Sequence, residues 1–267
     1  MADKMADNIF EISDLIVDVA DMTRKPLFGP APRLEILKGV SFTIPRGAVL
    51  GIVGGSGSGK TTLGRTLVRL SEPSGGRMLF DGHDIAHLSD AAMRPLRPRI
   101  QMIFQDPLSS LNPRLTVGRT VAAPLNAKAN DPRVSEALEH VGLPADFTRR
   151  YPHELSGGQR QRVGIARAIA MRPEFILADE IVSGLDVSSQ AQVLMLLEKL
   201  VAELGLTLAF ISHDLSVIRR LCSRVIVLRA GEIVEDAATA DLFERPQHAY
   251  TRELLDAIPT PDPSIRW

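Results

Sequence analysis

Residues 54–61 read Gly-Gly-Ser-Gly-Ser-Gly-Lys-Thr, a glycine-rich stretch that ends in a lysine and a hydroxyl side chain. The segment before it, residues 48–53, is apolar and predicts a buried strand. After it, Leu63, Leu67 and Leu70 recur with helical spacing. A strand, a glycine loop and a helix in this order gather backbone N–H groups and a helix N-terminus around one point, which favours a bound anion.

This arrangement predicts a P-loop that binds a nucleotide. Lys60 would reach the β- and γ-phosphates, and the Thr61 hydroxyl would ligate Mg²⁺. We therefore expect ATP and Mg²⁺ as ligands. The expected binding residues are Gly54, Gly55, Ser56, Gly57, Ser58, Gly59, Lys60, Thr61 and Thr62. A flexible Gly/Ser linker is the alternative for these residues, and the predicted strand and helix on either side argue against it.

The composition predicts a large apolar core and little net charge. Of the 267 residues 45% are hydrophobic, and 31 basic residues offset 32 acidic ones to a net charge of −1, which argues against a broad nucleic-acid-binding face. The single cysteine, Cys222, excludes an internal disulfide and a cysteine-rich metal site, and we expect it to be buried. Residues 1–8 are polar and predict no signal peptide. Charged residues interrupt the most apolar long stretch, 193–211, so we expect no transmembrane helix.

Strands are predicted on both sides of the P-loop. Residues 9–19, 34–44 and 77–80 have strand patterns, and the proline-containing segment 22–33 predicts a loop. These strands indicate a mixed, partly antiparallel sheet near the N-terminus.

The chain changes character after residue 91, and residues 92–165 predict a mostly helical insertion. A strand at 100–104 ends at Gln105. Helical patterns follow at 116–127, 132–141 and 157–171.

Three arginines open this insertion. Prolines separate Arg94, Arg97 and Arg99 and break any helix that would align their charges. We therefore predict a solvated loop here rather than a phosphate-binding patch.

From residue 173 onward, apolar strands alternate with amphipathic helices, which predicts a parallel sheet. Strands are expected at 175–178, 206–211, 225–228 and 232–235, and helices at 188–204 and 214–221. Such a sheet collects ligand-binding groups at the carboxyl ends of its strands. Four polar residues fall at these ends: Gln105, Asp179, Glu180 and His213. The remaining histidines have no such context.

The order of these motifs resembles that of the ABC-type ATPases, over nearly the whole chain. After the P-loop and Gln105 come Leu155-Ser156-Gly157-Gly158-Gln159, Asp179-Glu180, Ser183-Gly184-Leu185-Asp186 and His213. The Leu-Ser-Gly-Gly-Gln segment is diagnostic, because other P-loop enzymes such as small-molecule kinases lack it. Residues 104–114 and the tail segments 242–243, 248–251 and 257–259 look like the ATP-binding subunits of oligopeptide, dipeptide and nickel importers.

The resemblance implies an α/β fold, with a P-loop (RecA-like) parallel-sheet core, an antiparallel β layer and a helical subdomain. The core would comprise residues 1–91 and 166–237. The helical signature subdomain would span 92–165, and a C-terminal helical tail would span 238–267.

The resemblance also implies a role for each strand-end residue. Asp179 would hold Mg²⁺ through water, with Thr61 and Gln105 as the other metal contacts. Glu180 would be the general base for the attacking water. Gln105 would also touch that water, and His213 would hydrogen-bond the γ-phosphate.

Partners follow from the same resemblance. Ser156, Gly157, Gly158 and Gln159 would contact the γ-phosphate held by a second subunit, identical or paralogous, in a head-to-tail dimer. Asp186 would communicate between the two sites. The chain would power a permease from the cytoplasmic face of the inner membrane, and the transported solute would be a peptide or a related solute such as nickel. A solute-binding protein would be an indirect partner. The helical insertion, with Gln105 and the apolar, proline-containing stretch 106–117, is expected to dock a permease helix. The alternative is that these residues pack the insertion against its own core.

The sequence also departs from the family pattern. Ile181 stands where Pro is usual, and Gly55 where many relatives have Glu or Pro. No Tyr occurs in residues 15–20, where an aromatic usually stacks on adenine, and Phe28 is a substitute candidate. The alternative function is a non-transport ABC ATPase that acts on DNA or ribosomes. Those proteins usually carry two cassettes, coiled coils or zinc modules, and this sequence has none of these patterns.

Overall fold

The computed structural model describes residues 7–24, 29–106 and 110–257. Its first layer is a four-stranded antiparallel sheet in the order β2-β1-β4-β5. The strands are β1 (Asn8–Ala20), β2 (Arg33–Pro45), β4 (Gly75–Phe80) and β5 (His83–Asp84). The antiparallel layer that the resemblance implied is therefore confirmed. The expectation of a mixed sheet near the N-terminus is wrong, because every pair in this sheet is antiparallel and the strand before the P-loop lies in the second sheet.

The second layer is a six-stranded sheet in the order β10-β9-β3-β8-β7-β6. Its strands are β3 (Val49–Val53), β6 (Ile100–Ile103), β7 (Phe175–Asp179), β8 (Thr207–Ile211), β9 (Arg224–Arg229) and β10 (Glu232–Ala238). All pairs are parallel except β9 with β10. The strands β3, β7 and β8 are buried along their whole length, as expected where both faces of a parallel sheet are covered. Strand β6 forms one edge of this sheet.

Nine α-helices lie in the described part of the chain. They are α1 (Lys60–Leu67), α2 (Asp90–Met93), α3 (Val117–Ala122), α4 (Pro132–His140), α5 (Gly157–Ile169), α6 (Val187–Leu204), α7 (Leu215–Leu221), α8 (Thr239–Glu244) and α9 (Ala249–Asp256). The helix predicted at 116–127 stops at Ala122, because Pro124 follows. None of these helices has both the length and the apolar character needed to cross a bilayer.

Two apolar cores hold the layers together. One lies between the antiparallel sheet and the central sheet, where Phe10 packs on Phe80 and Phe175 with ring centroids 5.1 and 4.7 Å away. The other joins the helical region to the opposite face of the central sheet, and Cys222 is buried in it as expected. The two cores hold the central sheet in place, and with it the carboxyl ends of its strands, where the strand-end residues lie.

The predicted solvated loop at residues 94–99 is wrong for two of its three arginines. Arg94 is exposed, but Arg97 donates to the carbonyl oxygens of Val68 (2.8 Å) and Arg69 (3.0 Å). Arg99 forms ion pairs with Asp81 and Glu174, and these hydrogen bonds hold the pKa of both carboxyl groups below their ordinary values. Residues 94–99 form a series of turns, which bring the Arg97 and Arg99 guanidinium groups to partners distant in sequence.

Leu111 does not belong to an open docking surface as the stretch 106–117 was expected to form. Its side chain is 1% exposed and packs in the core beneath the helical region. Pro107 and Leu108 lie outside the described residues. The stretch is therefore at least partly an internal packing element.

Leu111→Asp is expected to destabilise the isolated protein. A carboxylate at this position would be buried without a partner, which costs several kcal/mol. Thermal unfolding of the purified variant should show a clearly lower melting temperature. An unchanged melting temperature would indicate that Leu111 is exposed and would contradict its position in the core.

Candidate active site

The P-loop follows β3 directly, and its glycines are required by its backbone. Gly54 has φ 151°, and a Cβ there would lie 2.1 Å from the carbonyl oxygen of Leu228. Gly59 has φ 105° and immediately precedes α1, the helix that begins at Lys60. A side chain at either position would strain the loop or displace a strand. The loop thus turns its backbone tightly between a buried strand and a helix N-terminus.

Lys60 is folded back along its own loop. Its ammonium donates to the carbonyl oxygens of Gly54 and Gly55, both at 2.8 Å, and the residue is 9% exposed. Burial lowers the pKa of Lys60, and the nearby charges of Glu180 and Asp179 oppose that shift. The ammonium is thus held among oxygen acceptors at the phosphate-binding loop.

The first residues of α1 border a cavity of about 220 Å³. Its lining residues are Ile36, Gly57, Ser58, Gly59, Lys60, Thr61 and Thr62. The Ser58 hydroxyl is buried and has no hydrogen-bond partner in the described part of the chain. An open cavity with an unsatisfied hydroxyl donor and a helix N-terminus suits a phosphate group.

Asp179 ends β7 and is almost completely buried, at 5% exposure. Its Oδ1 atom has no hydrogen-bond partner among the described residues, although buried carboxylate oxygens almost always have one. Burial raises the pKa of Asp179, and the neighbouring Glu180 raises it further. A buried carboxylate oxygen without a donor fits a hard cation such as Mg²⁺, which takes oxygen ligands and binds through few protein carboxylates.

Glu180 joins the remaining strand-end residues. Its Oε2 atom accepts a hydrogen bond from Gln105 Nε2 at 2.9 Å, and its Oε1 atom lies 3.4 Å from His213 Nδ1. The backbone of Glu180 has φ 48°, in the left-handed region that non-glycine residues rarely adopt. This turn carries the carboxylate away from β7 and places it between the ends of two other strands.

The candidate residues thus fall into one cluster and one separate segment. Gln105, Asp179, Glu180, His213 and Lys60 gather at the carboxyl edge of the central sheet. Residues 156–159 lie instead on the helical region, at the start of α5.

The segment 156–159 forms a capping box. Ser156 Oγ accepts from the Gln159 N–H at 3.3 Å, and Gln159 Oε1 accepts from the Ser156 N–H at 3.0 Å. Asp186 caps the neighbouring helix α6 through Ser189, whose hydroxyl lies 3.6 Å from where a Cβ on Gly158 would be. Val187, next to this contact, is 85% exposed. The two segments therefore form one open surface that a second molecule could cover.

Two residues at the site escaped prediction. Ile36 of β2 borders the P-loop cavity, and Tyr250 of α9 accepts a hydrogen bond from the Gly55 N–H at 2.7 Å. Tyr250 lies in the His-Ala-Tyr-Thr tail segment, which drew attention only through its resemblance to the importer subunits. Phe28, the candidate for stacking on adenine, lies outside the described residues.

Comparison with known protein families identifies the family to which this chain belongs. The family model described as "ABC transporter" matches residues 37–183, and the model "Oligopeptide/dipeptide transporter, C-terminal region" matches residues 234–267. The chain belongs to the ABC transporter family. The predicted family and fold class are therefore confirmed, and the P-loop is that of an ABC ATP-binding cassette.

Two relatives of this cassette have descriptive names. A Brucella ovis protein called "putative peptide import ATP-binding protein" is 56% identical over 239 residues, which cover 87% of this chain and 75% of that protein. The "oligopeptide transport ATP-binding protein" AppF of Bacillus subtilis is 49% identical, and the match covers 85% of this chain and 71% of that protein.

Solved structures show the same fold. A dimeric ATP-binding cassette in a post-hydrolysis state, bound to ADP and Pi, has a TM-score of 0.73 and 30% identity, covering 86% of this chain and 98% of that one. CbiO1 of Clostridium perfringens, part of an ABC transporter complex, has a TM-score of 0.76 and 30% identity, covering 90% and 92%.

Proposed function

We propose that the chain binds and hydrolyses ATP to power an ABC importer of peptides. The observation that carries this proposal is the cluster of Lys60, Asp179, Glu180, Gln105 and His213 around the P-loop. The peptide class rests on the names of the relatives and on the oligopeptide/dipeptide C-terminal region matched at residues 234–267.

Each residue of the cluster has a role that its surroundings favour. The P-loop N–H groups and the Lys60 ammonium bind the β- and γ-phosphates. Glu180 takes the proton of the attacking water, and the hydrogen bond from Gln105 fixes the orientation of its carboxylate. His213 is 66% exposed, so its imidazole is free to turn from Glu180 toward the γ-phosphate.

Mg²⁺ would be held by Asp179 and Thr61, with Gln105 at its edge. When bound, the cation neutralises developing charge on the β- and γ-phosphate oxygens. Asp179 contributes a fixed, buried carboxylate, and burial raises its pKa.

The active unit is a head-to-tail dimer. The open surface formed by residues 156–159 and 186–189 supports this, because the start of α5 presents a second anion-binding helix N-terminus away from the chain's own P-loop. One similar ATP-binding cassette is a dimer in two solved structures. The partner would cover the exposed Val187 and bring its own P-loop to Ser156.

The permease would dock on an exposed groove beside β6 rather than on Leu111. This groove, of about 170 Å³, is lined by Val68, Leu70, Arg97, Ile100, Gln101, Met102, Phe104, Pro124 and Arg167. Leu70 is 55% exposed and Phe104 42%, an unusual amount for two large apolar side chains that share one groove. Phe104 immediately precedes Gln105. A bound helix that displaces Phe104 would therefore also shift Gln105, whose side chain donates a hydrogen bond to Glu180. An amphipathic cytoplasmic helix fits such a surface.

Leu70→Asp is expected to abolish association with the permease while the isolated subunit keeps its melting temperature and basal ATPase activity. The reason is that a charge is tolerated on an exposed position but opposes an apolar helix in the groove. Co-purification with detergent-solubilised permease provides the measurement. Leu111→Asp is the matched control, since the same change at a buried leucine should instead lower stability. Normal permease binding by the Leu70 variant would mean that this groove is not the docking site.

The proposed function itself is tested by two measurements. The purified chain should hydrolyse ATP in the presence of Mg²⁺ and stop when EDTA is added. It should co-purify with membranes only when a permease is co-expressed, which also tests the proposed location at the cytoplasmic face of the membrane. Stimulation by DNA or ribosomes, without association with membranes, would favour the non-transport alternative instead.

A further inference from the structure

The C-terminal region touches the P-loop through one side chain. The hydroxyl of Tyr250 accepts a hydrogen bond from the Gly55 N–H at 2.7 Å, across 195 positions of sequence. A Cβ built on Gly55 would lie 2.8 Å from that hydroxyl and, within the part of the chain that the structure describes, within 4 Å of no other heavy atom outside its chain neighbours. Tyr250 therefore covers this face of the loop.

The bond acts on a peptide unit that Lys60 also holds. The Gly55 N–H and the Gly54 C=O belong to one planar peptide unit. Lys60 donates to that carbonyl at 2.8 Å, and Tyr250 accepts from that N–H at 2.7 Å. The plane is thus fixed from both of its polar ends.

Tyr250 is itself held firmly by the surrounding tail. The Glu235 carboxylate accepts from the backbone N–H groups of Gln247 (2.8 Å) and His248 (3.0 Å). His248 Nδ1 then accepts from the Tyr250 N–H at 3.1 Å, as the N-cap of α9. The Arg229 guanidinium lies 4.8 Å from the centroid of the tyrosine ring. Strand β10 and helix α9 therefore present the hydroxyl to the loop in a defined position.

We propose that Tyr250 is a positioning residue for ATP binding, which acts through the Gly54–Gly55 peptide unit on the Lys60 ammonium. This rests on the proposed function of the P-loop. When phosphate oxygens compete for the ammonium, the bond to the Gly54 carbonyl weakens, and the Tyr250 hydroxyl keeps the peptide plane in place. Without the hydroxyl, the plane can rotate, and its carbonyl can follow the ammonium and compete with phosphate. The C-terminal region thereby sets the nucleotide affinity of the site.

The deciding variant is Tyr250→Phe, which removes the hydroxyl and keeps the ring over which Arg229 lies. A hydrogen bond of this type corresponds to about a 2- to 10-fold change in an equilibrium constant. We expect the KM for ATP to rise by about that factor, with kcat and the melting temperature little changed. Steady-state ATPase kinetics and thermal unfolding of the full chain give all three values.

Tyr151→Phe is the matched control, because Tyr151 is the other tyrosine of the chain and is 40% exposed. It should leave KM unchanged. An unchanged KM in Tyr250→Phe would overturn the inference. A wild-type chain with no ATPase activity would instead contradict the proposed function.

Discussion

Replacing Glu180 with glutamine is expected to remove nearly all ATP turnover while ATP still binds. Glutamine has almost the same shape, and its amide can still pair with Gln105 and His213, but it cannot accept the proton of the attacking water. A positioned general base contributes about 10²- to 10⁴-fold in rate, so kcat should fall by that factor. Because hydrolysis would normally open the dimer, the variant should also accumulate as an ATP-bound dimer.

Phosphate release and size-exclusion chromatography with MgATP measure these two effects. Glu203→Gln is a suitable control, because that side chain is 48% exposed near the end of α6 and the same change there should leave kcat unaltered. Near-normal turnover in the Glu180 variant would assign the base to another group, and His213 would then be the first residue to replace.

Lys60→Ala is expected to weaken MgATP binding by about 10- to 100-fold, the equivalent of a lost charge-assisted hydrogen bond. Among the described residues, the ammonium is the only basic side chain that lines the P-loop cavity, so its loss leaves the β- and γ-phosphate charge poorly compensated. The Gly54 and Gly55 carbonyl oxygens also lose their shared donor, which loosens the loop.

Isothermal titration calorimetry with MgATP measures this loss directly. Lys199→Ala removes an exposed ammonium on α6 and should bind MgATP with unchanged affinity. Equal affinities for wild type and the Lys60 variant would mean that the loop at 54–61 is not the phosphate-binding site.

The parts of the fold predicted from sequence are those set by neighbouring residues. The buried strands at β3, β7 and β8 are continuous apolar runs, and the polar residues that follow them in sequence lie at the same sheet edge because parallel strands share one direction. The P-loop was predictable for the same reason, since strand, loop and helix are consecutive.

What the sequence did not reveal depends on contacts between distant positions. Arg99 bonds Glu174 across 75 positions, and no local pattern distinguishes that arginine from the exposed Arg94. Leu111 lies in a segment whose apolar residues are irregularly spaced among polar residues and prolines, so burial and exposure fit the pattern equally well. The sequence likewise contains no signal that joins Tyr250 to Gly55, because each belongs to a separately recognised segment.

The position of β6 has a consequence for how the subunit must be produced. This strand pairs with β7 on one side and, within the described residues, with no strand on the other. Unpaired backbone groups at a sheet edge are a template for association with other chains, and the exposed Leu70 and Phe104 lie in the groove beside it. A subunit synthesised in excess of the proposed permease partner would therefore be prone to aggregation, and balanced synthesis of the two would protect both. The surface proposed to dock the permease is thus also the one that favours aggregation of a subunit without its partner.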